Sequence, residues 1–230
     1  MVVDHAVALL RETRLFGDLD EASLEELARN VTERSYRKGH IIVNQGDPGD
    51  SLFVVSGGLI KVFVTSETGD EMVLVTLRPP DVFGEVAVLD EGPRSASAQA
   101  LEPSTVLILA RSKLLELIHN RPELTEVLLR SLGGLVRRLT EQAADLVFLD
   151  LHGRVAKLLL NLAEERGVGE EGQVVLDLHM TQSDVAGMVG GSRQSVNQIL
   201  HHFQRRGFVE LDGRAIVMKD LAALRRRAGL

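Results

Sequence analysis

The apolar positions of this 230-residue chain change their period along its length, and each change marks a different kind of element. Over residues 4–31 they recur at helical spacing: Val7, Leu10 and Leu15, then Leu24, Leu27 and Ala28. Asp20, just before EASLEEL, has the chemistry of a helix N-cap. From Arg34 to about Arg111 the pattern gives way to short β-rich runs, HIIVNQGDPGD, SLFVVSGGLIKVFVTSETGDEMVLVTL and STVLILAR. These are punctuated by Gly46-Asp47-Pro48-Gly49, Gly57-Gly58 and Gly69-Asp70. Short strands with turn signals at close intervals predict a sandwich or barrel-like roll.

Helical spacing returns from about Ser112 or Pro122 to Asp150. Leu128, Leu132, Leu135, Leu139, Gln142, Leu146 and Leu149 are separated by 4, 3, 4, 3, 4 and 3 residues, a heptad seam with one polar member. The seam predicts pairing with a second copy. A helix packed only on its own domain would show a broader stripe. Gly133 and Gly134 sit inside this helix and weaken it by about 1 kcal/mol each relative to Ala.

Beyond Leu151 the chain reads helix (RVAKLLLNLAEERG), turn-rich gap (VGEEGQ), short strand (VVLDL), helix, turn, helix and hairpin. Thr181 with Asp184 three residues on is a capping-box pattern. Gly190-Gly191 makes the turn, Ser192 caps the next helix, and Gly207 ends it. Asp212-Gly213 between FVEL and RAIVM predicts a hairpin. The second helix of this pair buries Val196, Ile199, Leu200 and Phe203. It leaves Arg193, Gln194, Ser195, Asn197, Gln198, His201 and Gln204 outside, and no acid occurs from Val185 to Val209. A solvated helix in so charged a chain normally carries Glu and Lys. Amides and guanidinium groups instead match the donor and acceptor pattern of base edges. The N-terminal part of such a helix enters the major groove, so Arg193, Gln194 and Gln198 are candidates for base contacts. Ser183, Ser192, Ser195, Arg205, Arg206 and Arg214 are candidates for phosphate contacts, with Asn197 on the same face. The competing reading is a polar helix on an ordinary helical domain.

Charge sharpens this division. The net charge is −7, which by itself argues against a nucleic-acid partner. Residues 151–230, however, hold 11 Lys/Arg against 9 Asp/Glu, and residues 1–150 hold 15 against 24. The halves differ in sign, as expected when one faces phosphate. The chain has no cysteine, which excludes disulfides, thiolate metal sites, iron–sulfur clusters and cysteine nucleophiles. The histidines form no axial or metal-ligand set, and no Ser-His-Asp or paired-carboxylate arrangement supports catalysis. The reading is no metal, no cofactor and no enzyme. The N-terminus has no basic region followed by an apolar core, and no apolar run is long enough to span a membrane. A cytoplasmic protein without membrane contact is expected.

One stretch resists this account. FGEVAVLDEGPRSASAQA, Phe83 to Ala100, places Gly84-Glu85 at the head of an apolar run and Arg94-Ser95 ten residues later. A glycine at a strand-to-helix junction frees backbone N–H groups to face an anion, and arginine adds a forked donor for phosphate oxygens. Glu85 belongs in such a site if the ligand also carries sugar hydroxyls. The alternative is a surface ion pair between Arg94 and Glu85 closing a hairpin.

FGEVAVLDEGPRSASA resembles the phosphate-binding cassette of cyclic-nucleotide-binding domains. KGHIIVNQGDPGDSLFVVSGGLIKV, FLDLHGRVAKLLLNLA and TQSDVAGMVGGSRQSVNQIL extend the resemblance over nearly the whole chain, to the bacterial Crp/Fnr regulators. The resemblance implies an α+β fold: a cyclic-nucleotide-binding β-roll of double-stranded jelly-roll type over residues 1–121, a dimerisation helix over 122–150, and a winged helix-turn-helix over 151–230. It implies that Gly84 and Glu85 hold the ribose 2′-hydroxyl region. Arg94 and Ser95 grip the cyclic phosphate, helped by the amide of Val86 or Ala87. It places Thr140 at the adenine, while Leu139 and Leu135 stand where the family pattern carries polar groups. On the reading helix, Arg193-Gln194…Gln198 replaces the family's usual Arg-Glu…Arg or Arg-Glu…Lys set. The partners implied are cyclic AMP as effector, a double-stranded DNA operator, a second copy of the chain, and RNA polymerase. A degenerate pocket with effector-independent DNA binding, and a regulator using another nucleotide, are the alternatives. A cyclic-nucleotide-dependent enzyme or scaffold regulator is disfavoured by the absence of any linked catalytic motif.

Overall fold

A computed structural model describes residues 2–121, 123–166, 174–177, 180–213 and 215–230. Arg214 and the turn-rich segment 168–173 lie outside the described residues. The chain divides into two compact units, Met1–Arg137 and Arg138–Leu230. The division falls inside the long helix that the sequence reading set apart as a segment of its own.

The first unit opens with α1 (Val2–Glu12) and α2 (Glu21–Asn30). The helical spacing over residues 4–31 is two helices, the second starting at the Asp20 cap that the sequence marks. Thr13 explains the break: its buried hydroxyl donates to the Leu10 carbonyl at 2.7 Å and accepts from the Phe16 amide at 2.9 Å, diverting backbone partners from the helical ladder. Asp20 caps α2 as predicted, accepting from the Ser23 amide at 2.8 Å.

The β-runs form β1 (Val31–Tyr36), β2 (Ile41–Val43), β3 (Ser51–Gly57), β4 (Ile60–Thr65), β5 (Glu71–Leu77), β6 (Val82–Phe83), β7 (Ser97–Ala100) and β8 (Ser104–Ala110), with α3 (Glu85–Asp90) between β6 and β7. They make two antiparallel sheets, ordered β1-β8-β3-β6 and β2-β7-β4-β5. Strand periodicity explains why β3 and β8 read as continuous apolar runs. Leu52, Val54, Leu107 and Leu109 face α1, α2 and α4 (Arg111–Asn120), while Phe53, Val55 and Val106 face the interior of the roll. Each such buried aliphatic side chain contributes about 1.5–3 kcal/mol.

Helix α5 spans Glu123–Phe148. The helical stretch expected from Ser112 onward is interrupted at Arg121, which precedes Pro122 and takes φ −137°, ψ 84°. A proline excludes the residue before it from the α region. The second unit continues with α6 (Leu151–Arg166), β9 (Val174–Asp177), α7 (Gln182–Val189), α8 (Arg193–Arg205), β10 (Val209–Asp212), β11 (Ala215–Met218) and α9 (Leu221–Arg227). A three-stranded sheet, β10-β11-β9, backs the helices. Val155, Leu159, Val185, Val189, Val196, Leu200 and Phe203 share one core. Helix α9 was not foreseen. Its signals are local: Asp220 caps it through the Ala223 amide at 2.8 Å, and Arg227 pairs with Asp150.

Candidate nucleotide cassette and nucleic-acid interface

The cassette is built on a left-handed residue. Gly84 has φ 82°, ψ 5°, and lets the chain turn from β6 straight into α3. Its second requirement is steric: a Cβ there would fall 2.7 Å from Nη1 of Arg94. Gly49 is close-packed in the same way, since its Cβ would lie 2.2 Å from that of Ala87. The turn Asn44–Asp50 clasps the far arm of the cassette. Arg94 N donates to the Asp47 carbonyl at 2.8 Å, and Gly46 N donates to the Arg94 carbonyl at 2.9 Å.

This clasp carries the Arg94 side chain inward, to 4 % exposure. It is therefore no surface group, and the reading of Arg94 as half of a surface ion pair does not describe it. The guanidinium lies over the Phe53 ring at 5.2 Å from the centroid, and Phe53 stacks on Phe83 at 4.8 Å. Nη1 donates to the Gly84 carbonyl at 3.2 Å, while Nε is buried with no hydrogen-bond partner. Burial holds the Arg94 guanidinium below the ordinary arginine range, opposed by the carboxylates of Asp50 and Asp47. A buried cation with an idle donor is costly alone and favourable beside an anion. Around it, Glu85 and Val86 are half-buried, Ala87 is buried and Ser95 is exposed. Sequence marks Asp47 and Gly49 only as part of a turn, and nothing in it links them or Phe53 to the cassette. They reach the cassette through strand pairing and a turn distant in the chain.

Thr140, the candidate base contact, is exposed on α5 and belongs to the second unit. Of the predicted seam, the Leu128 side chain lies outside the described residues, and further exposed apolar residues stand beside the rest. Leu139 and Leu146 are each 45 % exposed, and Leu129, Val136, Val147 and Phe148 are more so, while Leu132 and Leu135 are half-buried. Leu129 and Val136 stand seven residues apart and form a second heptad row beside the leucines.

In the second unit the helix-turn-helix is locally over-determined. Thr181 and Asp184 form both halves of the capping box. Gly190, at φ 63°, ends α7, and a Cβ on Gly191 would lie 2.8 Å from Leu151. Ser192 caps α8 through the Ser195 amide at 3.1 Å. The four apolar residues of α8 are buried as the spacing required. Arg193, Gln194, Gln198, His201 and Gln204 stand exposed on the opposite face, with no acid among them. Ser183 is exposed near the start of α7. Ser195 and Asn197 are half-buried rather than exposed, and Ser195 Oγ sits 2.8 Å from Ser192 Oγ.

A β-roll with an arginine cassette, followed on one chain by a long apolar helix and a winged helix-turn-helix, is the architecture of a ligand-responsive DNA-binding regulator. Residues 33–121 match the cyclic nucleotide-binding domain family, and residues 153–227 match the Crp-like helix-turn-helix domain. The chain is 34 % identical over 220 residues to the CRP-like cAMP-activated global transcriptional regulator of Mycobacterium tuberculosis, covering 96 % of this chain and 98 % of that protein. It is 32 % identical over 215 residues to the cyclic AMP receptor protein of Thermus thermophilus, covering 94 % and 96 %. The solved structure of FixK2 from Bradyrhizobium japonicum shares the fold, with a TM-score of 0.75 at 24 % identity over 85 % of this chain and 96 % of that one. The chain belongs to the Crp/Fnr family of transcription regulators, which are not enzymes. No helix among the described residues is long and apolar enough to cross a membrane.

Proposed function

We propose that the protein is a cytoplasmic, homodimeric regulator whose binding to a double-stranded DNA operator is controlled by cyclic AMP. The observation that carries the effector half is Arg94, buried with an idle Nε behind the left-handed Gly84. An equatorial phosphate oxygen is the acceptor such a donor lacks. In this reading Arg94 and Ser95 take the cyclic phosphate with the amides of Val86 and Ala87. Gly84 and Glu85 take the ribose, and Thr140 takes the base. The relatives named as cAMP-activated support cyclic AMP over other cyclic nucleotides.

Arg193, Gln194 and Gln198 read base edges, and Ser183, Ser192, Ser195, Asn197 and Arg214 position the helix on the backbone. The exposed apolar row of α5 pairs with its counterpart in a second copy, and the DNA-bound dimer works through contact with RNA polymerase. Effector and operator then favour one conformation, so each raises the other's affinity by the same factor. The apolar residues Leu135 and Leu139, where the family pattern is polar, favour a second reading in which DNA binding needs no effector. A gel-shift titration with and without cyclic AMP, with Arg94→Leu as control, separates them. The first reading expects tighter binding with nucleotide in the wild type only. Equal affinities throughout establish the second.

A further inference from the structure

The winged domain carries a second basic surface that the reading face of α8 does not use. Where the C-terminal end of α8 meets α9, an open groove of about 420 Å³ is floored by Phe203 and Phe208 and rimmed by His202, Arg206, Arg226 and Arg227. The two phenyl rings lie 5.8 Å apart, and the Arg206 guanidinium stands 5.9 Å from the Phe208 centroid. His202 is braced edge-on by His152 at 5.6 Å. Arg227 is held by Asp150. Asp220, the carboxylate of the lining, is spent on the Ala223 amide as the cap of α9. Neighbouring charges are likewise paired, Lys219 with Glu210 and Arg225 with Glu164. Among the described residues no carboxylate pairs with Arg206 or Arg226.

The groove also faces the wrong way for the duplex. At about 100° per residue, His202 and Arg206 turn more than a quarter-turn from the middle of the face formed by Arg193, Gln194, Asn197, Gln198 and His201. Arg206, a candidate phosphate contact by sequence, is exposed, with its guanidinium near the Phe208 ring. A duplex is convex and presents phosphates, with nothing to place on a recessed phenyl floor. A polypeptide segment offers both carboxylates and an apolar side chain.

We propose that this groove docks an acidic segment of a partner protein, one bulky apolar side chain covering the half-buried Phe208 ring, which packs on the buried Phe203, while flanking carboxylates take the guanidinium forks of Arg206 and Arg226. Arginines beside an aromatic ring are the groups from which interface hot spots are built once a partner excludes water. The proposal does not depend on the effector.

The test uses the full-length protein and a fluorescein-labelled peptide, DEDLFDEE, followed by anisotropy at fixed salt. Saturable binding is expected. Replacing the central Leu-Phe of the peptide with Gly-Gly weakens it at least tenfold, as does Arg206→Glu, Arg226→Glu or the milder Arg226→Gln. Arg225→Glu, one residue away and outside the groove, changes it less than twofold. Arg226→Glu leaves the affinity for a duplex selected in vitro within twofold, and saturating duplex does not displace the peptide. Absence of saturable binding overturns the proposal. So does equal binding of the Gly-Gly peptide, which shows charge attraction alone. An equal effect of Arg225→Glu, or displacement by the duplex, which makes the groove part of the DNA surface, also overturns it.

Discussion

Nη1 of Arg94 donates to the carbonyl oxygen of Gly84 at 3.2 Å and occupies the space, 2.7 Å away, that a side chain at position 84 would need. The backbone turn and the buried cation therefore require each other. Glycine is needed both for its φ of 82° and for the guanidinium lying against it.

Gly84→Ala tests that coupling. Forcing an L-residue into the left-handed region costs about 1–2 kcal/mol. The added methyl also meets Phe53 at 3.1 Å and the Ser51 carbonyl at 3.2 Å, neither of which is a free chain end. Urea denaturation without nucleotide should show a loss of at least that size. Calorimetric cyclic AMP affinity should fall further than stability accounts for, because Arg94 is displaced.

The exposed row on α5 sets the second expectation. Val136→Arg places a charge among apolar groups that are open to solvent within one chain. A surface change costs a folded monomer little, within about 0.5 kcal/mol. If the row is a dimer seam, sedimentation equilibrium should show a folded monomer with much weaker operator binding. A dimer of unchanged affinity would mean that the row lies outside the interface.

Specificity and grip should separate on the helix-turn-helix. Gln198→Ala or Arg193→Ala should cost about 1–3 kcal/mol on the preferred duplex and relax discrimination at one base position. Ser183→Ala should weaken all duplexes alike. Titrations on matched and mismatched duplexes at one salt concentration distinguish the two, because phosphate contacts carry no sequence information.

The cap of α2 gives the first unit an acid-sensitive element. Hydrogen bonds from Ser23, with Arg121 beside it, push the Asp20 carboxyl down from 3.8 to about 2. A depressed folded-state pKa stabilises above the unfolded value and loses that contribution as pH falls through the folded one. The melting-temperature gap between wild type and Asp20→Ala should therefore be full above pH 4 and close towards pH 2. A gap independent of pH would show that the charge contributes nothing and the cap acts as a neutral acceptor.

Much of the architecture is local and therefore legible in the chain. The Thr181/Asp184 box, the Ser192 cap, the Gly190 turn and the four buried positions of α8 depend on residues within a few positions of one another. Period and cap chemistry suffice for these. The Gly84/Arg94 pair is visible as a motif because its members lie ten residues apart in one loop. Its meaning, buried cation or surface ion pair, is not. Burial depends on Asp47, Gly49 and Phe53, residues about forty positions away, and only antiparallel pairing brings them there.

The same reason separates the remaining cases. Thr13 splits the first helical stretch through side-chain bonds that compete with the ladder only once its hydroxyl is shielded from water. Which apolar residues of α5 stay open depends on what the chain itself covers: Leu139 is 45 % exposed while Leu132 and Leu135 are half-buried. The basic groove beside α8 joins Phe203 to Arg226 across a hairpin and a helix whose packing no window of sequence contains. Sequence by itself determined most of the order and type of elements, because dihedral preference and amphipathic period act over one or two turns. Tertiary structure decided exposure, and with it which charges are left seeking a partner, because desolvation depends on everything that surrounds a group.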